Sequence, residues 1–463
     1  MRVCVNSTTD TTQRRMAEYA CGLTYQDLPP EVVHIAKTRV IDTLGALIAG
    51  FCGDPCRIAR SVAARRPTLA GATVIGTRLM TAPDLAAFVN ATTARYVELT
   101  DSYHRPGGQG HPSDVVMPIL AVAEYARKSG RDFVAGVVLG YEIFLRINDV
   151  FHNRRGFDHT IFGCLGSAVA AGRLLGLSVD RMSHCIAMAV VPNNTLRQAR
   201  DDRATMFKAA ATGHAARAGV YAALLARAGM QGPHLPFEGK AGWCAHVARE
   251  RFSMSAFGGH GTPFKILETL IKNRPALGIA ISSILAAEKL APLRNIDDIK
   301  KVHVEVHQYA KEVGGTGDHR WHPDTREGAD HSIPYVTAAA LMDGTVNLRT
   351  YDDAHLRSPR LRALMQKISV TENAEFTRAF NQEPQQHRAR ITLVTESHGT
   401  LTADSGGDED DMSAAMSDAH IEEKFRGLTE DVLGAKRVSG ILEQLWHLED
   451  VQDVAGIPRL FVI

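Results

Sequence analysis

Apolar residues recur every three or four positions through most of the first half of the chain. The segments with this spacing are 31–51, 83–100, 112–129, 132–151, 160–176 and 204–229. A repeat near 3.6 residues predicts amphipathic helices, and the many alanines in these segments suit close helix packing. We therefore expect residues 1–265 to form one large all-helical domain.

The spacing changes after about residue 263. Apolar and polar residues alternate in 300–309, 367–373, 388–397 and 399–405, which predicts strands, and His398-Gly399 predicts a hairpin turn between the last two. Helical patterns at 276–290 and 331–343 lie between the strands. Residues 266–411 are thus predicted to form a smaller α+β domain, and the helical pattern of 417–448 predicts that residues 412–463 pack back onto the first domain. The predicted fold class is mainly α with a smaller α+β lid domain.

The composition indicates a globular protein without a broad charged surface. Of 463 residues 45% are hydrophobic, and 52 Lys and Arg balance 51 Asp and Glu, which argues against nucleic-acid or anionic membrane partners. The first residues lack an apolar signal core, no apolar stretch of about 18 residues occurs, and the seven cysteines are scattered. We expect a cytoplasmic protein with reduced thiols and, because no cysteine spacing resembles a zinc or iron–sulfur site, no metal.

Residues 98–118, ELTDSYHRPGGQGHPSDVVMP, combine carboxylates, histidines and a glycine-rich turn ahead of a helical pattern. Pro112 suits the first position of a helix, which puts His111 at the N-cap, where the helix dipole favours a neutral imidazole able to exchange a proton. The alternative is an ordinary helix start, in which Ser113 and Asp114 accept hydrogen bonds from the first turn. The local sequence leaves both interpretations open.

Further candidates lie near two other predicted helices. Lys208 occurs in an otherwise apolar helical run, where a lone ammonium is costly unless it faces a carboxylate or a ligand. Arg200 lies shortly before this helix. His159 precedes a helix rich in Gly and Ala and could be either a cap or a catalytic residue.

The junction of the predicted domains contributes a third group. Lys272 and Arg274 begin the second domain, and a domain junction is a common place for a ligand cleft. His331 and Tyr335 are four residues apart and would share one helix face, although His331 could instead cap that helix while Tyr335 packs in the core.

Removing a proton next to a carboxylate becomes easier when cations bind that carboxylate, so a polycarboxylic acid is the expected substrate. The cations that could bind it are Lys208, Arg200, Lys272 and Arg274.

The chain also resembles the MmgE/PrpD family. The matching motifs follow the expected order along nearly the whole sequence: LTDSYHRPGGQGHPSDVVMP, GYEIFLRI with Tyr141 and Arg146, GFDHTIFGCLGS, FKAAATGHAARAG, DHSIPYVTAAALMDG and the final LFVI. This family includes 2-methylcitrate dehydratase, cis-aconitate decarboxylase and iminodisuccinate epimerase. The resemblance implies a large helical domain with an α+β lid, a homodimer, and no metal or organic cofactor.

The resemblance assigns roles to individual residues. The family's acidic motif falls on Glu98, Asp101, Ser102 and His104, its HPS histidine on His111, its histidine ahead of the Gly/Ala-rich helix on His159, its active-site lysine on Lys208 and its late tyrosine on Tyr335. Two departures are visible. Glu98 and Ser102 replace an aspartate and a threonine, which implies a differently shaped pocket. Many members also place a histidine shortly after a Lys-x-x-Pro motif, where this chain has Ile279 or Ala280.

The leading hypothesis is a cofactor-independent lyase that dehydrates a small hydroxylated di- or tricarboxylic acid, as 2-methylcitrate dehydratase does. His111 or Lys208 would take the proton, the other of the two with His159 would protonate the leaving hydroxyl, and Asp101 would orient a histidine; Tyr335 would also be catalytic. The substrate would contact Glu98, Ser102, His104, Tyr141, Arg146, Arg200, Lys272, Arg274 and His331. The alternatives are an epimerase, which the missing histidine favours, a decarboxylase, and a binding protein without catalysis.

Overall fold

The computed structural model describes residues 9–105, 108–151, 156–293, 295–407, 411–412 and 414–463. Cys4 lies outside these residues, and the six other cysteines are free thiols. Within the described part of the chain, no helix is long and apolar enough to cross a membrane.

The N-terminal region is built from packed helices. They are α1 (Thr11–Gly22), α2 (Pro30–Gly50), α3 (Asp54–Ala63), α4 (Pro83–Tyr96), α5 (Val116–Tyr125), α6 (Gly130–Val150), α7 (Thr160–Leu174), α8 (Val179–Val190) and α9 (Phe207–Arg227). Local signals fix several starts: Ser129 caps α6 through its side chain, and proline occupies the first turn of α2 and α4.

This region is not entirely helical, which corrects the sequence prediction. Two antiparallel pairs interrupt it, formed by β1 (Pro67–Thr73) with β2 (Met80–Thr81) and by β3 (Tyr103–Arg105) with β4 (Gly108–Gly110). The helix predicted over 83–100 ends at Tyr96, and the helix predicted from 112 begins as a 3₁₀ turn over Pro112–Val115. Short strands without alternating apolar residues give no periodic signal, so the sequence pattern could not reveal them.

The C-terminal region combines a small mixed sheet with short helices. Its elements are α10 (Ile281–Glu288), β5 (Ile299–Val306), α11 (Gln308–Gly314), α12 (Asp318–Trp321), α13 (Arg326–Ala329), α14 (Ile333–Asp343), α15 (Asp353–Leu356), α16 (Pro359–Met365), β6 (Ile368–Glu372), α17 (Ala374–Phe380), β7 (Ala389–Thr395) and β8 (Thr400–Ser405). The strand order is β6-β5-β7-β8, with β5 parallel to β6 and the other pairs antiparallel. The predicted hairpin is confirmed, since β7 pairs with β8 and Gly399 has a φ of 70°.

The described residues form two large hydrophobic cores, and the chain passes from the first core to the second at residues 272–275. The first contains residues between 16 and 271 together with residues 421–461, which include the apolar faces of α18 (Asp418–Leu433) and α19 (Ala435–Trp446). The second core contains residues between 276 and 393. The fold class is confirmed: the chain is mainly helical with a smaller α+β part.

Candidate active site

Glu98 lies just past the end of α4 and is fully buried. Its φ of 54° is in the left-handed region, which residues other than glycine adopt rarely and often at functional sites. Arg95 Nη1 lies 2.8 Å from Oε2, Lys272 Nζ lies 2.7 Å from Oε1, and Lys208 Nζ lies 3.1 Å from Oε2. Burial alone would raise the pKa of Glu98, but these three cations hold it well below its usual range. The carboxylate is therefore charged, and it forms the centre of the cluster.

Lys208, in the first turn of α9, connects Glu98 to the C-terminal region. Its Nζ atom lies 2.8 and 3.1 Å from the two carboxylate oxygens of Asp330 and 3.2 Å from Nδ1 of His331. Ligand atoms of Glu98, Asp330 and His331 lie within 4.8 Å of one another, a spacing that could suit a metal ion. The ammonium group of Lys208 lies within 3.2 Å of an atom of each residue. It already supplies a positive charge to the two carboxylates, while His331 Nδ1, 2.5 Å from Asp330 Oδ1, donates to that carboxylate.

Lys272 and Arg274 are two residues apart but have different surroundings. Lys272 Nζ donates to Glu98 Oε1, to the Glu98 backbone oxygen at 3.2 Å and to the Ala276 backbone oxygen at 3.0 Å, which uses all three N–H groups. Burial and the neighbouring cations lower the pKa of Lys272 to about 8, although Glu98 opposes this shift. Arg274 instead forms two hydrogen bonds of 2.7 Å with Glu288. Lys272 belongs to the cluster, whereas Arg274 does not.

His111 occupies the predicted N-cap position, but its side chain makes no capping hydrogen bond. Its Nδ1 atom lies 2.7 Å from the backbone oxygen of Asp101, so Nδ1 carries the proton and Nε2 carries a lone pair. Nε2 lies 3.7 Å from Glu98 Oε1, and the ring centroid lies 5.1 Å from that of His159. Burial and nearby cations hold the pKa of His111 well below its ordinary value. The imidazole is neutral, and 14% of the side chain remains accessible.

His159 lies at the N-cap of α7 but likewise does not cap it, because Asp158 accepts the Thr160 N–H at 3.1 Å. Arg200 holds Asp158 through contacts of 2.6 and 3.0 Å. His159 Nε2 lies 3.5 Å from Asp114 Oδ2. Burial lowers the pKa of His159 to about 4, despite the opposing charge of Asp158. Arg200 therefore orients Asp158, the residue that precedes this second neutral imidazole.

Asp101 fixes the start of the segment that carries His111. Its buried carboxylate accepts the Ser113 N–H at 3.0 Å and the Tyr141 hydroxyl at 2.8 Å, and its backbone oxygen binds His111. Burial raises the pKa of Asp101. The oxygen that binds the helix start thus comes from Asp101 and not from Ser113 or Asp114, so the ordinary self-capped start does not describe this segment. Tyr141 supports Asp101 from α6.

Ser102 and His104 extend the cluster towards the C-terminal region. Ser102 Oγ lies 3.5 Å from His111 Nδ1. The His104 ring packs against Gly278, where an added methyl group would come within 2.6 Å of the imidazole Cε1. His104 Nδ1 lies 3.2 Å from His387 Nε2. Residues from both regions of the chain therefore meet at this edge.

Three predicted site residues are not brought to the cluster. The Tyr335 hydroxyl donates to the backbone oxygen of Thr350 at 2.6 Å within the second core, as the alternative interpretation of this residue expected. Arg146 donates to Glu142 at 2.7 Å, and Arg274 is bound to Glu288, as described above. Each prediction is corrected because the side chain has its own partners elsewhere in the protein.

Several members of the cluster are not among the site residues predicted from the sequence: Arg95, Asp114, Asp158, Asp330 and His387. Arg95 lies one helical turn before a predicted residue, and Asp330 directly precedes another, so proximity in sequence was an available signal. His387 lies in a stretch without periodicity, and only the folded chain brings it to His104. Ile279 and Ala280, at the place of the expected histidine, are buried in the second core. The imidazole of His104 nonetheless lies beside this stretch, against Gly278.

The sequence matches one known protein family over most of its length. Residues 14–254 match the MmgE/PrpD N-terminal domain, and residues 275–448 match the MmgE/PrpD C-terminal domain. A cis-aconitate decarboxylase of Homo sapiens is 26% identical over 464 residues, which cover 95% of this chain and 92% of that protein. A 2-methylcitrate dehydratase of Cupriavidus necator is 26% identical over 386 residues, which cover 79% of this chain and 78% of that protein. Matches to both domain models, in order, show that the chain belongs to the MmgE/PrpD family.

Proposed function

We propose that the chain is a lyase that acts on a small polycarboxylic acid by proton transfer next to a carboxylate, with dehydration of a hydroxylated acid as the leading reaction. The relatives named above are lyases, which supports this class of enzyme. The observation that carries the proposal is the protonation state and the accessibility of the His111 imidazole. Its neutral imidazole is partly accessible, and its Nε2 lone pair lies beside the buried charges around Glu98.

The geometry favours His111 over Lys208 as the base. The Lys208 side chain is only 1% exposed, and its ammonium group is held by Glu98, Asp330 and His331. The Nε2 atom of His111, in contrast, has a lone pair directed away from its backbone partner. In the proposed step, Nε2 takes the proton from the carbon next to a substrate carboxylate, and the C–H electrons form the C=C bond. The hydroxyl group leaves as water when His159 passes it a proton and takes up the proton that His111 has acquired, so both imidazoles end the step neutral.

The charges around Glu98 support this proton transfer. When His111 takes the proton it becomes a cation, and the Glu98 carboxylate 3.7 Å away stabilises that cation. Arg95, Lys208 and Lys272 fix Glu98 in place, so little reorganisation accompanies the step.

The four cations that were expected to bind the substrate do not bind it directly in the proposed mechanism. Lys208, Lys272, Arg200 and Arg274 are each paired with a carboxylate of the protein. Hydrogen bonds to the substrate carboxylates would come instead from the edge of the cluster. Ser102, whose hydroxyl group lies next to His111, is the residue that we propose for this role.

A second candidate reaction is decarboxylation of an unsaturated tricarboxylic acid. The human relative named a cis-aconitate decarboxylase aligns with 95% of this chain, whereas the dehydratase of Cupriavidus necator aligns with 79%. Decarboxylation breaks a C–C bond and then requires a proton at carbon, which the same imidazoles could supply.

Incubation with citrate, 2-methylcitrate and cis-aconitate in D₂O tests both reactions and the epimerase alternative. Ultraviolet absorbance reports a new C=C bond, a CO₂ assay reports decarboxylation, and NMR reports deuterium at carbon. Alkene formation without CO₂ supports dehydration, CO₂ release supports the second candidate, and deuterium exchange alone supports an epimerase. Inactivity towards all three acids, with no exchange, contradicts the proposal.

A further inference from the structure

We infer that His387 and Asp411 are positioning residues that fix His104 as a hydrogen-bond acceptor, and that His104 makes the site select acids that carry a hydroxyl group. The inference rests on the proposed function for its substrate class. Its structural part, the protonation of the two imidazoles, does not depend on that function.

The three residues form a chain of contacts between the two regions of the molecule. His104 Nδ1, on β3, lies 3.2 Å from Nε2 of His387, which precedes β7. His387 is 1% exposed, and its Nδ1 atom lies 3.5 Å from Asp411 Oδ1. The other oxygen of Asp411 accepts the backbone N–H groups of His387 at 2.9 Å and Gly407 at 2.7 Å. The carboxylate is thus held in a fixed orientation towards the His387 ring.

This chain determines where the protons lie. His387 Nδ1 makes no hydrogen bond of normal geometry, but the Asp411 carboxylate faces it at 3.5 Å and favours a proton there, so we place the proton on Nδ1 and the lone pair on Nε2. That lone pair accepts the Nδ1–H of His104, which leaves the lone pair of His104 on Nε2. Burial, His387 and Lys272 hold the pKa of His104 well below its ordinary value, in agreement with a neutral ring.

The Nε2 atom of His104 faces the proposed site. A methyl group added at Gly278 would lie 2.9 Å from this Nε2 and 3.2 Å from Ser102 Oγ, so these groups border the same small space. Ser102 in turn contacts His111 at 3.5 Å. An acceptor at this edge binds a substrate hydroxyl, which can donate, and repels a carboxylate, which cannot. His104 therefore distinguishes a hydroxylated acid from the same acid without the hydroxyl.

Two measurements test the inference on the 463-residue chain. Nitrogen-15 NMR of histidine-labelled protein at pH 7, assigned with His104→Phe, reports which ring nitrogen of His104 is protonated. Calorimetry compares binding of citrate with binding of propane-1,2,3-tricarboxylate, which lacks only the hydroxyl group. We expect the Nδ1–H form, and about tenfold tighter binding of citrate, in the unaltered chain. His387→Phe should shift the proton of His104 towards Nε2 and abolish the preference for citrate.

The control is His303→Phe, because His303 on β5 contacts Thr371 and not the cluster. It should retain the Nδ1–H form of His104 and the preference for citrate. An Nε2–H form of His104 in the unaltered chain overturns the inference, and so does a preference for citrate that survives His387→Phe. A third outcome is that neither acid binds, although His104 has the Nδ1–H form and this form changes in His387→Phe. The proton arrangement is then correct, but the proposed substrate class and the proposed selectivity for a hydroxyl group are both wrong.

Discussion

Two buried glutamates in the N-terminal region, Glu98 and Glu142, have different kinds of partners. Glu142 accepts hydrogen bonds of 2.7 Å from Arg146 Nε and from the backbone N–H groups of Gly258 and Lys265. Glu98 instead contacts three cationic side chains, and an imidazole nitrogen lies 3.7 Å from its carboxylate. Burial of a carboxylate is therefore common to both, and only the partners distinguish them.

The difference suggests different roles. Glu142 joins α6 to two backbone segments, which is what a structural carboxylate does. Glu98 orders side chains from α4, α9 and residue 272 around His111, in a strained backbone conformation. A buried carboxylate surrounded by cationic side chains and a neutral imidazole is the better candidate for an active site.

The largest effect is expected when each glutamate is made neutral. Glu98→Gln leaves three buried cations without their shared anion, so we expect turnover to fall by about a thousandfold and unfolding to become easier by roughly 3–5 kcal/mol. Glu142→Gln should lower stability but leave kcat/KM of the folded fraction within about twofold. Urea unfolding and steady-state kinetics check both variants. Equal losses of kcat/KM in the two variants would remove the distinction.

The next effect concerns the lysine that joins the two regions. Lys208→Met keeps the side-chain length but leaves Asp330 buried without its cation, and we expect about a hundredfold loss of kcat together with a lower melting temperature. The matched control is Lys37→Met, since Lys37 is also largely buried but pairs with Glu449, away from the cluster. It should lower the melting temperature but change kcat by less than about twofold. Full kcat in Lys208→Met would show that Lys208 is purely structural.

Acid should weaken the region around Glu98 before the region around Glu142. The pKa of His159 and that of His331 are each about 4 in the folded protein, mainly because of burial, and both lie below the unfolded value of about 6.5. The unfolded state then binds more protons, so their contribution is complete above pH 6.5 and is lost as the pH falls towards 4. Each should lower the free energy of unfolding by roughly 1.4 kcal/mol per pH unit in that window.

Hydrogen exchange at pH 7 and pH 5 measures this effect locally. Protection should fall more in peptides that contain residues 98–111 and 330–335 than in peptides from α6. A uniform loss of protection, or greater protection at pH 5, contradicts the assignment of neutral buried histidines.

The smallest effect is expected from chelation. Lys208 already provides the cation for Glu98 and Asp330, and its ammonium group lies against His331, so exhaustive treatment with EDTA should leave turnover unchanged. Activity that is lost with EDTA and restored by one divalent ion would instead make these three residues candidate ligands.

The sequence predicted the long helices and the β7–β8 hairpin well, because both have a strong apolar period. Of the site, it identified the residues whose chemistry conflicts with their surroundings, such as Lys208 in an apolar helix. It could not show which partner each charged residue would find. Arg274 and Tyr335 have suitable chemistry, but a local glutamate binds the first and a backbone oxygen the second. Contacts between distant segments, such as His104 with His387, leave no periodic signal.

The most direct test of the central claim is deuterium transfer by His111. In D₂O, NMR would follow deuterium exchange or incorporation at carbon for the acid that the unaltered enzyme converts fastest among citrate, 2-methylcitrate and cis-aconitate. If the neutral Nε2 of His111 exchanges the proton, His111→Gln should bind this acid within about threefold of the normal Kd while deuterium transfer falls at least about a hundredfold. Deuterium transfer at the normal rate in His111→Gln, or none in the unaltered enzyme, would contradict the account.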